Sequence, residues 1–135
     1  MGRWRVRLVL DTHVFIWVGD IRDSRNLSQG ARQAIEDRGN EIMVSAASAW
    51  EIATKHRLGR LPAGRRMVTQ WAEVLGELRG IDLAVTSEHG LLAGGFDAEH
   101  RDPFDRIIAA QAIIEGAQLV TADPAMRVFG ADILW

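Results

Sequence analysis

Residues 6–17 read Val-Arg-Leu-Val-Leu-Asp-Thr-His-Val-Phe-Ile-Trp, and this stretch decides the fold. Its first five residues are almost continuously apolar, which is typical of a strand covered on both faces of a parallel sheet. Asp11 ends that run, and the residues from Thr12 to Val18 have the character of a short apolar helix. The segment therefore predicts a buried strand, an acidic residue at its carboxyl end and a helix beside the sheet.

The same alternation of strands and helices continues along the chain. The predicted strands are Val6–Leu10, Glu41–Ser45, Ile81–Val85, Ala117–Val120 and Ala131–Trp135. The predicted helices are 12–18, 28–38, 46–56, one over 67–78 that Gly80 ends, 86–93, one that opens at Asp102-Pro103 and stops at Gly116, and a short one from Asp123-Pro124. Such alternation implies right-handed crossovers, so we expect an α/β protein with a three-layer α/β/α architecture and a central, mostly parallel five-stranded sheet.

Composition narrows the class of protein. The chain has 135 residues, of which 47% are hydrophobic and 25% charged, so we expect a single folded domain over residues 1–135. It contains no cysteine, which excludes disulfide scaffolds and leaves oxygen or imidazole as the ligands of any metal. The apolar run Leu8–Leu10 is shorter than the roughly 7–15 residues of a secretory signal or the roughly 18 of a membrane span. We therefore expect a soluble, cytoplasmic protein with no membrane partner.

Two acidic residues follow predicted strands. Asp11 comes directly after the first strand and Asp123 just after the fourth. If these strands are neighbours, their ends lie about 4.8 Å apart, and the two carboxylates could share one cation. Either residue alone could instead cap the helix that follows it. Both together, at one edge of the sheet, favour a binding site.

Glu51 is the only charged residue between positions 42 and 54, in a helix whose other residues indicate burial. It could simply pair with Lys55 four residues later, which is worth a few tenths of a kcal/mol on a solvated helix. A lone carboxylate in such an uncharged run nevertheless requires a partner. This favours a functional role for Glu51.

Asp102 and Asp105 open the predicted sixth helix. Asp102 before Pro103 is a strong N-cap signal, and that structural role is sufficient for it. Asp105 suits the helix dipole, but a first helical turn beside other acids is also a place for a metal ligand. Three or four carboxylates without thiols select hard cations such as Mg²⁺ or Mn²⁺, which suit phosphoryl chemistry.

Several enzyme classes lack their motifs here. There is no Walker-type loop and no Gly-x-Gly-x-x-Gly after the first strand, so no nucleotide cofactor is expected. A haloacid dehalogenase-like phosphatase would need an acid where His13 stands, and a nucleophile elbow is missing. The histidines show no metal-ligand spacing and are expected at the surface or in packing; they are His13, His56, His89 and His100.

Four sequence boxes, in order over nearly the whole chain, resemble the PIN-domain toxins of VapC type. They are Asp-Thr-His-Val-Phe-Ile-Trp at 11–17, Ser-Ala-Ala-Ser-Ala-Trp-Glu-Ile at 45–52, His-Arg-Asp-Pro-Phe-Asp-Arg-Ile-Ile-Ala-Ala-Gln-Ala at 100–112 and Thr-Ala-Asp at 121–123. An acid after a strand is common, whereas four boxes at compatible spacings are specific. The resemblance implies a PIN-like fold and a Mg²⁺-dependent endoribonuclease, with Mn²⁺ able to substitute. It also implies a VapB-like antitoxin partner and a homodimer.

By motif position, the resemblance assigns catalysis and metal binding to four acids. These are Asp11, Glu51, Asp105 and Asp123. Thr12 and Thr121 fall where hydroxyls support such a site, and Asp102 is expected to cap or to lie behind the ligands. The role of Arg106, next to Asp105, stays open between pairing with the acids and contacting phosphate.

Local charge is more informative than the total. The chain has 16 Lys+Arg and 18 Asp+Glu, a formal net charge of -2, which by itself argues against nucleic acid. Between positions 52 and 72, however, the charged residues are all basic: Lys55, Arg57, Arg60, Arg65 and Arg66. A solvated connector would also have this composition. Because the segment follows Glu51, we predict that it contacts RNA.

Two other functions remain open at this point. The same acids could serve a PIN-like metal-dependent phosphatase or a DNA nuclease. Alternatively, the chain could be a catalytically silent interaction module whose acids bind an antitoxin arginine or cap helices. Assays with RNA, DNA and small phosphate esters distinguish the phosphatase and the DNA nuclease from the ribonuclease toxin. Calorimetry tests the silent module, which should bind neither Mg²⁺ nor Mn²⁺.

Overall fold

The computed structural model describes residues 5–20 and 23–135, and a parallel sheet lies at the centre of this part of the chain. Its strands are β1 (Arg7–Leu10), β2 (Glu41–Ser45), β3 (Ile81–Leu83), β4 (Gln118–Val120) and β5 (Ile133–Leu134). They form a five-stranded sheet in the order β3-β2-β1-β4-β5, and every pairing is parallel. The predicted α/β architecture is confirmed, and the sheet in these residues is wholly rather than mostly parallel.

Helices connect the strands and cover the sheet. They are α1 (Thr12–Gly19), α2 (Gln29–Glu36), α3 (Ala46–Arg57), α4 (Arg65–Thr69), α5 (Trp71–Glu77), α6 (Ser87–Gly95) and α7 (Pro103–Ile114), with 3₁₀ turns at Ser24–Asn26, Pro62–Gly64 and Pro124–Phe129. The predicted N-caps Ser28, Thr86 and Asp102 each accept a hydrogen bond from the first turn of their helix. None of the helices in the described ranges has the length and apolar character needed to cross a bilayer.

Two apolar layers hold the helices on the sheet. Since side chains alternate along a strand, Leu8 and Leu10 face one layer and Val9 faces the other. The first layer includes Phe15 and other residues of α1, α3, α4 and α5, whereas the second is built mainly from α7 and the turn before β5. The central strand is therefore buried on both faces, as its apolar run predicts.

The prediction of one continuous helix over 67–78 is wrong. The structure has two short helices that meet at Gln70, whose φ of -133° and ψ of 40° are not helical. The Thr69 hydroxyl donates to the Arg65 carbonyl at 2.9 Å, a side-chain bond that competes with regular helix geometry. The break lets Trp71 pack against Phe15, with ring centroids 5.0 Å apart.

The chain reverses its direction of travel across the sheet at β1 and β4. From β1 it moves outward to β2 and β3, and then returns to β4 and β5 on the opposite side. Leu10 pairs with Val120, so the carboxyl ends of the two strands lie side by side. In open parallel sheets such a switch point forms a crevice where ligands bind. Asp11 and Thr121 are the first residues after the carboxyl ends of these two strands.

His89 connects α6 to the end of α7 away from that crevice. Its Nδ1 accepts from the Thr86 backbone N–H at 3.0 Å, which completes a capping box. Its Nε2 lies 3.3 Å from Glu115 Oε2, and Glu115 also accepts from Arg7. The imidazole is buried, so this histidine is a packing residue as predicted.

Replacing His89 with alanine should lower the free energy of unfolding by about 2 kcal/mol, because it removes a helix cap and a buried hydrogen bond together. Urea denaturation followed by circular dichroism measures this. Glu88→Ala on the same turn is the control: Glu88 is exposed, so its effect should stay within about 0.5 kcal/mol. A loss for His89→Ala no larger than the control would contradict the assignment.

Candidate active site

Asp11 lies at the switch point with its side chain turned into the protein. The residue is 5% exposed, and its Oδ2 accepts a hydrogen bond from Thr121 Oγ1 at 2.7 Å. Its backbone N–H donates to the Val120 carbonyl at 2.9 Å and extends the pairing of β1 with β4. The carboxylate makes no capping hydrogen bond to α1. Asp11 occupies the N-cap position of α1 without such a bond, so capping does not account for its carboxylate, which Thr121 supports directly.

Glu51 reaches the same region from α3. It is 3% exposed, and its Oε2 pairs with Lys55 Nζ at 2.6 Å. Its other oxygen, Oε1, is buried, and no donor within the described residues reaches it. The predicted pairing with Lys55 is thus present. The predicted burial applies to the face of α3 that carries Glu51 and not to the whole helix, since Trp50 is 65% exposed. A buried carboxylate oxygen without a donor is an open position for a cation.

Two hydroxyls place α3 relative to the start of α1. Thr12 Oγ1 lies 2.9 Å from Ser48 Oγ, and both residues are buried. Ser45, at the end of β2, accepts from the Ala47 N–H at 3.0 Å and starts the helix. Ser48 is three residues before Glu51, on the same side of the helix. Thr12 therefore supports the site by positioning the helix that carries Glu51.

Asp105 lies in the first turn of α7. Asp102 caps this turn, since its Oδ1 accepts from the backbone N–H of Phe104 at 2.9 Å and of Asp105 at 3.3 Å. The carboxylate of Asp105 pairs through Oδ2 with His100 Nε2 at 2.7 Å. The capping role predicted for Asp102 is confirmed. His100, which sequence patterns leave among packing residues, is the main addition that the structure makes.

The negative charges of these acids repel one another. Burial raises the pKa of Asp105 to about 6, the bond to His100 opposes that rise, and the charges of Asp102, Asp11 and Glu51 add to it. Burial also raises the pKa of Asp11 from its ordinary value, with the Thr121 hydroxyl opposing and the charge of Glu51 adding. The structure therefore brings Asp11, Glu51 and Asp105 into one electrostatic cluster.

Asp123 shares the edge of the sheet but has a different environment. It is exposed, and its Oδ1 accepts from the Ala125 N–H at 2.9 Å, so it caps the 3₁₀ turn that follows. Its own N–H donates to Thr121 Oγ1 at 3.1 Å, which connects it to the hydroxyl that holds Asp11. For Asp123 the helix-cap alternative is observed. Its role as a metal ligand stays a prediction.

The cluster has the donor set of a hard cation. Among the described residues, no three His, Asp or Glu side chains are already grouped as a metal cage. The carboxylates nevertheless fit such an ion, because Glu51 Oε1 has no donor and burial raises the pKa of both Asp11 and Asp105. These are the marks of negative charge that a divalent cation would compensate.

The predicted RNA-contacting cations divide into two groups. Lys55 is bonded to Glu51, and Arg66 is paired with Glu77. The others are exposed, beginning at the end of α3; they are Arg57, Arg60 and Arg65. At 1.5 Å per residue, Arg57 lies about 9 Å along the helix from Glu51.

The structure decides the open role of Arg106. Its guanidinium donates to backbone carbonyls at the end of α6 and in the loop before α7; the acceptors are Ala93, Phe96, Ala98 and His100. Its central carbon also lies 5.9 Å from the ring centroids of both Phe96 and Phe129. Arg106 therefore organises the loop before Asp105. No periodicity could reveal this, because the acceptors are main-chain atoms of an irregular segment.

Asp105→Asn should stabilise the metal-free protein at pH 7.5 and not at pH 4. Between about pH 4 and 6 the unfolded chain releases this proton while the folded chain keeps it, so stability falls as pH rises through that window. Above this pH window the variant should gain on the order of 2 kcal/mol in its free energy of unfolding, measured by urea denaturation in EDTA. Asp97→Asn, at an exposed position, is the control and should leave the free energy of unfolding unchanged at both pH values. Equal effects of Asp105→Asn at the two pH values would contradict a raised pKa.

Comparisons with known proteins identify the family of this chain. The family model of the PIN domain matches residues 8–131. Ribonuclease VapC22 of Mycobacterium tuberculosis (strain ATCC 25618 / H37Rv) is 33% identical over 123 residues, which is 89% of this chain and 89% of that protein. Ribonuclease VapC16 of the same strain is 58% identical over 31 residues, which is 23% of this chain.

Two solved structures share the fold. VapBC2 from Rickettsia felis, bound to a DNA fragment from their promoter, superposes with a TM-score of 0.65 at 17% identity and covers 95% of this chain and 96% of that one. FitAcB from Neisseria gonorrhoeae gives a TM-score of 0.55 at 14% identity over 93% of this chain and 95% of that one. The family match covers the strands from β1 to β4 except Arg7, together with every acid of the cluster. The chain therefore belongs to the PIN-domain family and is a homologue of the VapC ribonucleases.

Proposed function

We propose that this protein is an endoribonuclease toxin that hydrolyses RNA phosphodiester bonds with Mg²⁺, or with Mn²⁺ in its place. One observation carries the proposal: two buried carboxylates, Asp11 and Glu51, and the half-buried carboxylate of Asp105 converge at the switch point of a PIN-domain sheet. A relative that is a ribonuclease by name, and 33% identical over most of both chains, supports RNA as the substrate.

The protein's own residues prepare the site for catalysis. Thr121 holds the Asp11 carboxylate by a hydrogen bond, and Lys55 pairs with one oxygen of Glu51. The remaining Glu51 oxygen faces no donor among the described residues. A divalent cation bound by these acids would polarise the scissile phosphate and increase the acidity of the attacking water. Attack by water in line with the 3′ oxygen would form a new P–O bond and break the P–O3′ bond, so that the products carry a 5′-phosphate and a 3′-hydroxyl.

The proposal includes two protein partners. Similar folds are solved in VapBC2 and FitAcB, which supports a VapB-like antitoxin that binds and neutralises this chain. We also propose a homodimer, as expected for a toxin of this type. An antitoxin segment that enters the crevice would meet an acidic cluster, so a basic side chain is the chemistry that fits it.

Asp11→Asn should reduce RNA cleavage at least 100-fold and leave the protein folded. Asparagine keeps an oxygen for Thr121 but loses the charge that a cation requires, and removing a buried charge does not weaken the fold. Cleavage of labelled RNA with Mg²⁺, and circular dichroism of the variant, measure the two effects. EDTA should abolish wild-type cleavage.

Three results would contradict the proposed reaction. Cleavage that survives EDTA would exclude the metal, and products with 2′,3′-cyclic phosphates would exclude attack by water. Undiminished activity of Asp11→Asn would remove that carboxylate from the site. Parallel assays with DNA and a small phosphate ester determine whether RNA is the substrate.

Replacing Arg57, Arg60 and Arg65 with glutamine should weaken RNA binding and flatten its salt dependence. Each lost phosphate contact lowers the slope of log K against log salt by roughly 0.7 for a single strand. Fluorescence anisotropy of a labelled RNA at several salt concentrations, in EDTA, gives the slope. The control removes the same charge from other exposed positions: Arg25, Arg38 and Arg127. Equal slopes for both triple variants would exclude a specific basic surface at 57–65.

A further inference from the structure

We propose that His100 is a positioning residue for Asp105, and that Arg106 holds His100 in place for this role. The inference rests on the proposed function, because it concerns the carboxylate that would bind the cation. It goes beyond the four acids, since neither residue belongs to them and neither would contact the substrate.

The contact between His100 and Asp105 is short and sheltered. Nε2 of the imidazole lies 2.7 Å from Oδ2 of the carboxylate, with the two side chains 25% and 16% exposed. A charge-assisted hydrogen bond at this distance selects one rotamer of the aspartate. It also occupies one carboxylate oxygen and leaves the other for a cation.

Asp105 needs such a donor more than the other acids of the cluster. Asp11 has the Thr121 hydroxyl and Glu51 has Lys55. The Asp102 side chain binds the backbone of the first turn, so it fixes the helix start but adds a negative charge beside Asp105. That charge repels the Asp105 carboxylate, whereas the hydrogen bond to His100 holds it in one orientation.

Arg106 fixes the position of His100 through the main chain. One of its four carbonyl acceptors is His100 itself, at 2.8 Å; Phe96 and Ala98 lie in the same loop, and Ala93 lies in the last turn of α6. The imidazole also packs edge-on against Phe129, with ring centroids 5.4 Å apart. Only a guanidinium offers enough donors in a rigid plane for this set of acceptors. Arg106 therefore fixes the conformation of the loop, and the loop places His100 Nε2 beside Asp105 Oδ2.

The decisive variants are His100→Phe and His100→Gln. Phenylalanine keeps a ring against Phe129 but removes the donor, whereas the glutamine amide can donate from a position close to Nε2. We expect His100→Phe to bind Mn²⁺ about tenfold more weakly by calorimetry, in line with the loss of other outer partners of metal ligands. His100→Gln should stay within about threefold of the wild type.

Kinetics provide a second readout that a general loss of stability would not produce. With RNA and Mn²⁺, His100→Phe should lower kcat about tenfold and leave KM within about twofold, because the substrate contacts are unchanged. Arg106→Lys should weaken Mn²⁺ binding in the same direction. The double variant His100→Phe/Arg106→Lys should be no weaker than His100→Phe alone, since both changes act on one contact.

Arg101→Gln is the matched control. Arg101 is exposed in the same loop, so its replacement changes local charge without touching the contact, and Mn²⁺ affinity should stay within about twofold. Wild-type affinity in His100→Phe would overturn the proposal, and so would a loss in His100→Gln as large as in His100→Phe.

The positioning role and the proposed nuclease activity can fail separately. If the wild type binds Mn²⁺ but does not cleave RNA, the proposed function is wrong, and the Mn²⁺ titrations still judge His100. If the wild type cleaves RNA but binds no Mn²⁺, the positioning role is overturned and the nuclease stands.

Discussion

The hydrogen bond from Thr121 to Asp11 is the interaction on which the site depends. It joins the carboxyl ends of the two central strands at the point where the chain changes its direction across the sheet. A carboxylate buried this deeply is costly without a partner, and the hydroxyl of the neighbouring parallel strand supplies one. The adjacency of β1 and β4 therefore determines the fold and also permits a buried acid at its centre.

The other two acids of the cluster, Glu51 and Asp105, lie close enough to Asp11 for their negative charges to repel one another. Glu51 lies on a helix that the contact of Ser48 with Thr12 joins to the start of α1, and Asp105 lies on a helix capped by Asp102. Burial and mutual repulsion raise the pKa of Asp11 and Asp105, so the metal-free site opposes the stability of the fold. Such a conflict between local charge and stability is typical of functional sites. The donors Lys55 and His100 reduce it at the two acids that come from helices.

Local patterns predict most of the secondary structure because their causes are local. The strand at 41–45 has the predicted bounds, and the caps at Ser28, Thr86 and Asp102 are all present, since a cap depends on a few neighbouring residues. The edge strands are shorter than predicted, because an edge strand has a neighbour on one side only. The helix over 67–78 is broken at Gln70, where a threonine side chain competes with the helix and tertiary packing turns Trp71 towards Phe15.

The sequence by itself determined the class of fold, the acids at the strand ends and the helix starts, and the absence of thiol ligands. Each of these follows from periodicity, capping chemistry or composition, which are properties of neighbouring residues. Only the tertiary structure decided that Asp11 binds Thr121 while Asp123 caps its own turn, that Glu51 keeps one oxygen without a donor, and that Arg106 serves the loop carrying His100. Those outcomes depend on which strand ends and loops meet in space. Contacts between residues up to 110 positions apart leave no periodic trace in the chain.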